Sequence, residues 1–152
     1  FTRRFKNWIG VSVPKNVMSR VRGYIFSRPF MGERVPQHVQ NLVIRDYCKK
    51  KGIQYLLSAT EYAMAGSHLI LQQIMDELPQ LEGIVFYSLF LLPEQKKERD
   101  RVCKVILENK KTIFFAVEGL LMSNKIEHER IETIWQVQKI LPQCLQTMTL
   151  PH

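Results

Sequence analysis

The chain has 152 residues, of which 45% are hydrophobic, and this is enough for one domain with a buried core. Its formal charge of +8 is uneven, because six of the 22 basic residues and none of the 14 acidic residues lie within residues 1–22. The rest of the chain is nearly neutral, so no nucleic-acid partner is expected. The basic N-terminal leader, residues 1–21, is interpreted as a solvated tail, a membrane-surface contact or a docking arm.

The cysteine pattern and the missing motifs argue against several kinds of site. Cys48, Cys103 and Cys144 are odd in number and far apart, which predicts reduced thiols in a cytoplasmic protein and no metal site. The sequence has no G-x-G-x-x-G after its first apolar run, no Walker loop, no H-E-x-x-H and no C-x-x-C, so no cofactor is predicted. No apolar run approaches the roughly 20 residues of a membrane span, so no transmembrane segment is expected.

The first predicted strand leads into a crowded polar loop. Residues 22–38 begin with the β-forming side chains of Tyr24, Ile25 and Phe26 and continue with serine, arginine, proline and glycine, which predicts a strand and then a loop. Apolar residues at helical spacing over residues 35–51, followed by Gly52, predict the first helix. This order is typical of an anion or substrate site, because loop side chains and helix amides converge there.

Strand and helix patterns then alternate along the chain. Strands are predicted at residues 53–58, 84–90 and 112–117, and helices at residues 67–78, 94–109 and 126–141. The alternation predicts a three-layer α/β fold with a mainly parallel, four-stranded sheet and helices on both faces. The predicted domains are the leader (1–21), an α/β domain (22–122), and a C-terminal helix and tail (123–152). The last helix is rich in apolar residues and either packs on the sheet or forms a homodimer with its copy.

Polar residues follow the predicted strands, where ligands of parallel sheets bind. Arg28 and Arg34 suit a phosphate or a carboxylate, because a guanidinium fork binds an oxyanion at two points. A plain surface salt bridge is the alternative for both arginines. The remaining candidates for ligand binding are Glu33, Gln37, Tyr62 and Ser88.

Four residues are candidates for catalysis. Ser27 is a nucleophile or a hydroxyl that binds a ligand, although its surroundings, FSRP, lack the nucleophile elbow G-x-S-x-G. His38 stands in the first turn of the first helix and is a candidate acid or base. Glu61 and Glu118 follow strands and are candidates for the same role, with an Arg–Glu pair that holds the loop as the alternative. These residues leave open whether the chain is an enzyme.

Several long stretches carry a family resemblance. The sequence resembles the sporadic carbohydrate cluster family of bacterial proteins over residues 22–121, in RGYIFSRPFMGERVPQHVQNLVIRDYC, LLSATEYAM, EGIVFYSLFLLP and FFAVEGL. The resemblance implies a role in bacterial surface-carbohydrate biosynthesis, such as O-antigen, lipopolysaccharide or capsule polysaccharide, without a known reaction. The expected ligand is a phosphorylated or nucleotide-linked sugar at the strand ends. The alternative is a non-catalytic partner or scaffold for an enzyme of polysaccharide biosynthesis.

The chain also resembles, more distantly, the catalytic domain of serine resolvases. The shared features, in chain order, are Gly23, Tyr24 and Ser27, then Gln37 and Gln40, then Gly52, then Glu118. Residues 89–94 are LFLLPE, where resolvases have the arginine-bearing run L-D-R-L-x-R, and Ser27 is one position out of register with the run G-Y-x-R-V-S. No DNA-binding domain is expected after the last helix. The resemblance implies a resolvase-like fold and dimerisation through the last helix, with a DNA-processing relative without recombinase activity as a third alternative.

Overall fold

The structure is a computed structural model that describes the backbone of residues 20–149 and the side chains of residues 20–141. Almost all of the predicted leader lies outside the described residues. The elements are β1 (Arg20–Phe26), α1 (Gln37–Lys51), β2 (Gln54–Glu61), α2 (Leu69–Asp76), β3 (Gly83–Phe86), α3 (Lys96–Glu108), β4 (Thr112–Phe115), β5 (Leu120–Met122) and α4 (Lys125–Thr149). Short 3₁₀ helices follow α2 and β3, at Leu78–Gln80 and Leu89–Leu91. Within this part of the chain no helix has the length and apolar character needed to cross a membrane.

The strands form one mixed sheet in the order β2-β1-β3-β4-β5. β1 pairs in parallel with β2 and β3, and β3 pairs in parallel with β4, whereas β5 runs antiparallel to β4. The predicted mainly parallel α/β sheet is confirmed, but the predicted count of four strands is wrong. β5 has only three residues and follows a turn at Gly119, whose φ is 68°. Such a short strand gives no alternation from which it could be predicted.

Helices cover both faces of the sheet, because successive side chains of a strand point to opposite faces. On one face, Val21 and Ile25 of β1 and Val85 of β3 pack with the buried side of α1. On the other face, the aromatic rings of β1 and β3 belong to a larger core with α2, α3 and α4. The members of that core include Tyr24, Phe26, Phe86, Leu71, Ile74, Val102, Ile106, Ile131 and Trp135.

The ends of two predicted elements differ from the structure near the candidate site. β2 continues to Glu61, three residues beyond the predicted strand, because Ala59 to Glu61 pair with the last residues of β1. β3 ends at Phe86, and the apolar residues after it form the 3₁₀ helix Leu89–Leu91. The Ser88 hydroxyl accepts a hydrogen bond from the Phe90 amide at 3.2 Å and so begins this helix. Apolar character alone does not distinguish such a buried turn from a strand.

A buried ion pair joins α3 to α4. Arg99, which is 1% exposed, donates to the two carboxylate oxygens of Glu132 at 2.6 and 3.0 Å. Its guanidinium lies 4.3 Å from the centre of the Trp135 ring. It also donates to the carbonyl oxygens of Pro93 and Glu94 at 3.1 and 2.7 Å. The last helix is therefore packed against the α/β domain through its buried side.

The last helix still has an exposed apolar side and is longer than predicted. Its backbone continues past residue 141 to Thr149. The Trp135 indole donates to the Leu89 carbonyl oxygen at 3.1 Å, so this ring packs within the chain. Among its side chains up to residue 141, the exposed large apolar ones are Ile126, Val137, Ile140 and Leu141. The homodimer through this helix stays a prediction.

Gly23 is required by the close packing of β1 against β2. A Cβ atom added at Gly23 would lie 2.2 Å from the Ser58 hydroxyl oxygen and 2.9 Å from a ring carbon of Tyr55. We expect Gly23→Ala to lower the free energy of unfolding by about 1–3 kcal/mol through overpacking, as measured by urea denaturation. Because most of the clash is with one side chain, Ser58→Gly in the same chain should restore part of the loss.

Gly83 provides the matched comparison for this experiment. A Cβ atom there would lie 2.0 Å from the backbone oxygen of Thr112, so no side-chain deletion can relieve the clash. A double-mutant cycle should give a favourable coupling between Gly23→Ala and Ser58→Gly and none between Gly83→Ala and Ser58→Gly. Equal losses for Gly23→Ala with and without the serine would contradict this account of the packing.

Candidate functional site

Ser27 lies directly after β1 and ties this strand end to β2. Its half-buried hydroxyl donates a hydrogen bond of 2.7 Å to the carbonyl oxygen of Glu61. Among the described residues it has no hydrogen bond to a carboxylate or an imidazole that could act as its general base. The arrangement positions the loop that follows β1. The nucleophilic role of Ser27 stays a prediction.

The Arg28 guanidinium is held in a fixed orientation beside Ser27. Its Nη1 atom donates to the carbonyl oxygens of Tyr62 and Met64 at 2.8 and 3.1 Å. The guanidinium carbon lies 4.1 Å from the centre of the Phe26 ring, which adds a cation–π contact. Nε and Nη2 have no hydrogen-bond partner within residues 20–141. Two nitrogens of a fixed fork are thus open to an oxyanion.

The Glu61 carboxylate is fully buried at the end of β2 and holds the start of α2. It accepts hydrogen bonds from the hydroxyls of Tyr24 and Ser67 at 2.8 and 3.1 Å. The amides of Ile70 and Leu71 donate to it at 3.1 Å each. Burial opposes its ionisation, but these hydrogen bonds outweigh burial and hold the pKa of Glu61 below its ordinary value. Its predicted acid or base role stays a prediction.

Glu118 and Ser88 form a second cluster, at the ends of β4 and β3. The Ser88 hydroxyl donates to one oxygen of Glu118 at 2.7 Å, and the Leu89 amide donates to the other at 3.0 Å. The carboxylate therefore fixes the start of the 3₁₀ helix after β3. Ser88 is buried, with 3% of its surface exposed. The predicted roles of both residues stay predictions.

The loop between β1 and α1 and the first turn of α1 carry four other predicted site residues on their surface. Glu33, Arg34, Gln37 and His38 are all exposed. The side chain of Gln40, which is completely buried, anchors this loop to the end of β1. The Gln40 amide group bonds to the backbone N–H and carbonyl of Phe26 at 3.1 and 2.9 Å and to the Val35 carbonyl at 2.9 Å. Gln40 entered the sequence interpretation only as a shared feature of the resolvase resemblance.

A cleft of about 660 Å³ opens beside Arg28 and is a further part of the site. It lies between the loops that follow β1, β2 and β3 and the exposed sides of α2 and α3. Arg28 is the one residue of the predicted site that lines it, whereas Tyr62 is half exposed outside it. The polar residues that line it and that the sequence interpretation missed are His68, Gln72, Glu94, Gln95, Glu98 and Arg101.

These missed residues lie on α2 and α3 or directly before these helices, away from the strand ends. His68 and Gln72 are one helical turn apart at the start of α2, and this spacing places them on one side of the helix. Burial and the charge of Arg28 lower the pKa of His68, which favours the neutral imidazole. Its Nδ1 atom lies 3.4 Å from the Tyr24 hydroxyl oxygen. Within the described residues no three metal-ligating side chains converge.

Comparison with known proteins shows similarity at the level of the fold. No family model and no curated protein matches the chain. The N-terminal catalytic domain of TP901-1 integrase is similar in structure, with 14% identity, a TM-score of 0.54, and coverage of 85% of this chain and 99% of that one. A resolvase family site-specific recombinase from Streptococcus pneumoniae has 9% identity, a TM-score of 0.57, and coverage of 84% and 93%. The predicted resolvase-like fold is confirmed.

The same comparisons correct the predicted function. Both neighbours are recombinase or integrase domains, so the prediction of surface-carbohydrate biosynthesis, with its sugar ligand and its polysaccharide-biosynthesis partner, is wrong. The expectation of no nucleic-acid partner is also in conflict with these neighbours. The resemblance to the sporadic carbohydrate cluster family finds no support in any comparison.

Proposed function

We propose that the chain is a DNA-processing relative of the resolvases that binds a phosphodiester backbone at the end of β1 and does not exchange strands. The observation that carries this proposal is the geometry of Arg28. Two carbonyl oxygens and the Phe26 ring fix its guanidinium, and two of its nitrogens stay open to an anion. A cation oriented before binding loses little conformational freedom when a phosphate arrives.

Arg34 extends this anion site along the loop. It is exposed and has no salt bridge within residues 20–141. The loop that carries it is anchored to the end of β1 through Gln40. Arginine side chains that contact successive phosphates bind DNA without regard to sequence. The names of the two structural neighbours, an integrase and a site-specific recombinase, support DNA as the source of the phosphates.

Two observations support the proposed absence of strand exchange. Attack on a phosphodiester requires an activated hydroxyl and cations that stabilise the charge of the transition state. The Ser27 hydroxyl donates to a backbone carbonyl. The segment after β3, residues 87–93, is YSLFLLP and contains no cation. Leu89, Leu91 and Leu92 of this segment are buried in the core.

The proposal predicts that Arg28 contributes strongly to DNA affinity. Arg28→Gln should raise the dissociation constant for a fluorescein-labelled duplex about tenfold, the worth of a hydrogen bond to a charged group. Glutamine removes the charge but keeps a donor for the Tyr62 carbonyl. Fluorescence anisotropy with the whole chain measures the effect, and the basic leader is the same in every variant.

Arg130→Gln is the matched control, because Arg130 is an exposed arginine of α4 that forms no salt bridge within residues 20–141. It should change the dissociation constant less than twofold. Circular dichroism melts verify that both variants are folded. Equal effects of the two substitutions, or no binding of DNA by the wild-type chain, would overturn the proposal.

A further inference from the structure

The cleft beside Arg28 is lined by two arginines, Arg28 and Arg101, by two glutamates, Glu94 and Glu98, by the amide groups of glutamines, and by several aromatic and other apolar surfaces. Arg28 lies on the side of β1, whereas Gln72 and Glu98 lie on α2 and α3. His68, at the start of α2, is close enough to Arg28, Glu94 and Glu98 for all three to influence its pKa. Most of the other residues that line the cleft are apolar.

The apolar part of the cleft is built from rings that are fixed by their neighbours. Phe26 carries the Arg28 guanidinium over its face, and the Phe30 ring meets Phe26 edge to face with centroids 5.9 Å apart. The Phe90 ring packs edge to face on Trp135 at 5.3 Å. Flat, immobile aromatic and guanidinium surfaces are what an unstacked nucleobase packs against.

The wall formed by α2 and α3 can bind the edge of such a base. Arg101 donates to the Gln72 side-chain oxygen at 3.3 Å and to Glu98 at 3.0 and 3.2 Å, which orients both acceptors. The Gln72 amide nitrogen has no partner within residues 20–141. An oriented amide offers a donor and an acceptor together, which matches the edge of a base.

We propose that this cleft takes one unpaired nucleotide of single-stranded nucleic acid, with the base inside the cleft and its phosphate on Arg28. The proposal rests on the phosphate binding at Arg28 proposed above. A base within a duplex is stacked on both sides and reaches such a cleft only after leaving the stack. The volume of about 660 Å³ lies in the range of pockets that enclose a small-molecule ligand. A single strand is therefore the occupant that fits both Arg28, through its phosphate, and the aromatic lining, through its base.

One substitution, with a matched control, tests base binding separately from phosphate binding. Ala65 lines the cleft and is exposed, so Ala65→Trp should fill the space without disturbing the core. Leu57→Trp is the matched control, because Leu57 is 79% exposed on β2 and does not line the cleft. The probes are a labelled 12-nucleotide single strand, the same strand with abasic nucleotides, and the corresponding duplex.

The whole chain should bind the single strand about tenfold more tightly than the abasic strand, the usual effect of stacking one base. Ala65→Trp should remove this preference, whereas Leu57→Trp should leave it unchanged. Equal affinities for the two strands, or a preference that survives Ala65→Trp, would overturn the inference alone. If Arg28→Gln changed the dissociation constant of no probe, while the wild-type chain still preferred the intact strand to the abasic strand, the proposed phosphate site would be overturned instead.

Discussion

Replacing Arg99 with alanine is expected to lower the free energy of unfolding by about 3–5 kcal/mol, the cost of breaking a buried ion pair. Arg99 is 1% exposed, and the side chain of its partner, Glu132, is 15% exposed. The substitution removes the two hydrogen bonds from Arg99 to the Glu132 carboxylate, which keeps only that from Gln136, and it removes the cation from the Trp135 ring. Because these contacts join α3 to α4, the last helix should lose its protection from hydrogen exchange first.

Urea denaturation of matched variants tests this expectation. Arg101→Ala removes a neighbouring arginine of the same helix, whose pair with Glu98 is exposed, and should cost less than about 1 kcal/mol. The double variant Arg99→Met with Glu132→Leu should recover most of the loss, because neither charge is then left buried and unpaired. A loss for Arg99→Ala no larger than that for Arg101→Ala would contradict the anchoring role.

The second large effect is expected at Glu61. Glu61→Gln keeps the shape of the side chain but turns an amide NH₂ group toward some of its five donors, which come from Tyr24, Tyr62, Ser67, Ile70 and Leu71. Each buried donor left without an acceptor costs about 1–3 kcal/mol, so a loss of about 2–4 kcal/mol is expected. Thermal and urea unfolding measure it.

The pH dependence of stability distinguishes this role from a surface one. The pKa of Glu61 is held below its ordinary value of 4.5 in the folded chain. Its contribution is therefore present above about pH 4.5 and is lost as the pH falls through the folded pKa. The wild-type chain should lose stability in that window, and Glu61→Gln should lose less. Glu132, whose pKa is lowered first by its hydrogen bonds from Arg99, retains its own acid sensitivity in both proteins. Identical acid profiles would contradict the account.

Periodicity and turn residues predicted the parallel sheet and the helices because each helix buries one continuous side. The end of α1 is an example of a predicted helix end. Gly52 takes the left-handed conformation there, and its backbone N–H donates to the carbonyl oxygens of Cys48 and Lys49. β5 and the turn after β3 were missed because three-residue elements carry no period. Their positions depend on pairing with β4 and on the Glu118 carboxylate, which are contacts distant in sequence.

The candidate site was predicted only in part, for a similar reason. The strand-end rule found Arg28, which lies beside the cleft, but it gave no information on how Glu61 caps α2 or how Gln40 holds the loop. His68, Gln72 and Arg101 come from two helices whose approach depends on tertiary packing. Family resemblance in the strand and loop segments led to a function that the structural neighbours contradict.

The salt dependence of DNA binding tests the central claim, phosphate binding by Arg28, most directly. Dissociation constants for a labelled duplex, measured between about 50 and 200 mM salt, give the number of phosphates neutralised. The slope of log affinity against log salt should be smaller by about 0.9 in Arg28→Gln than in the wild-type chain, and unchanged in Arg130→Gln. Parallel lines for wild type and Arg28→Gln would contradict the claim, because they would place the DNA contacts elsewhere on the chain.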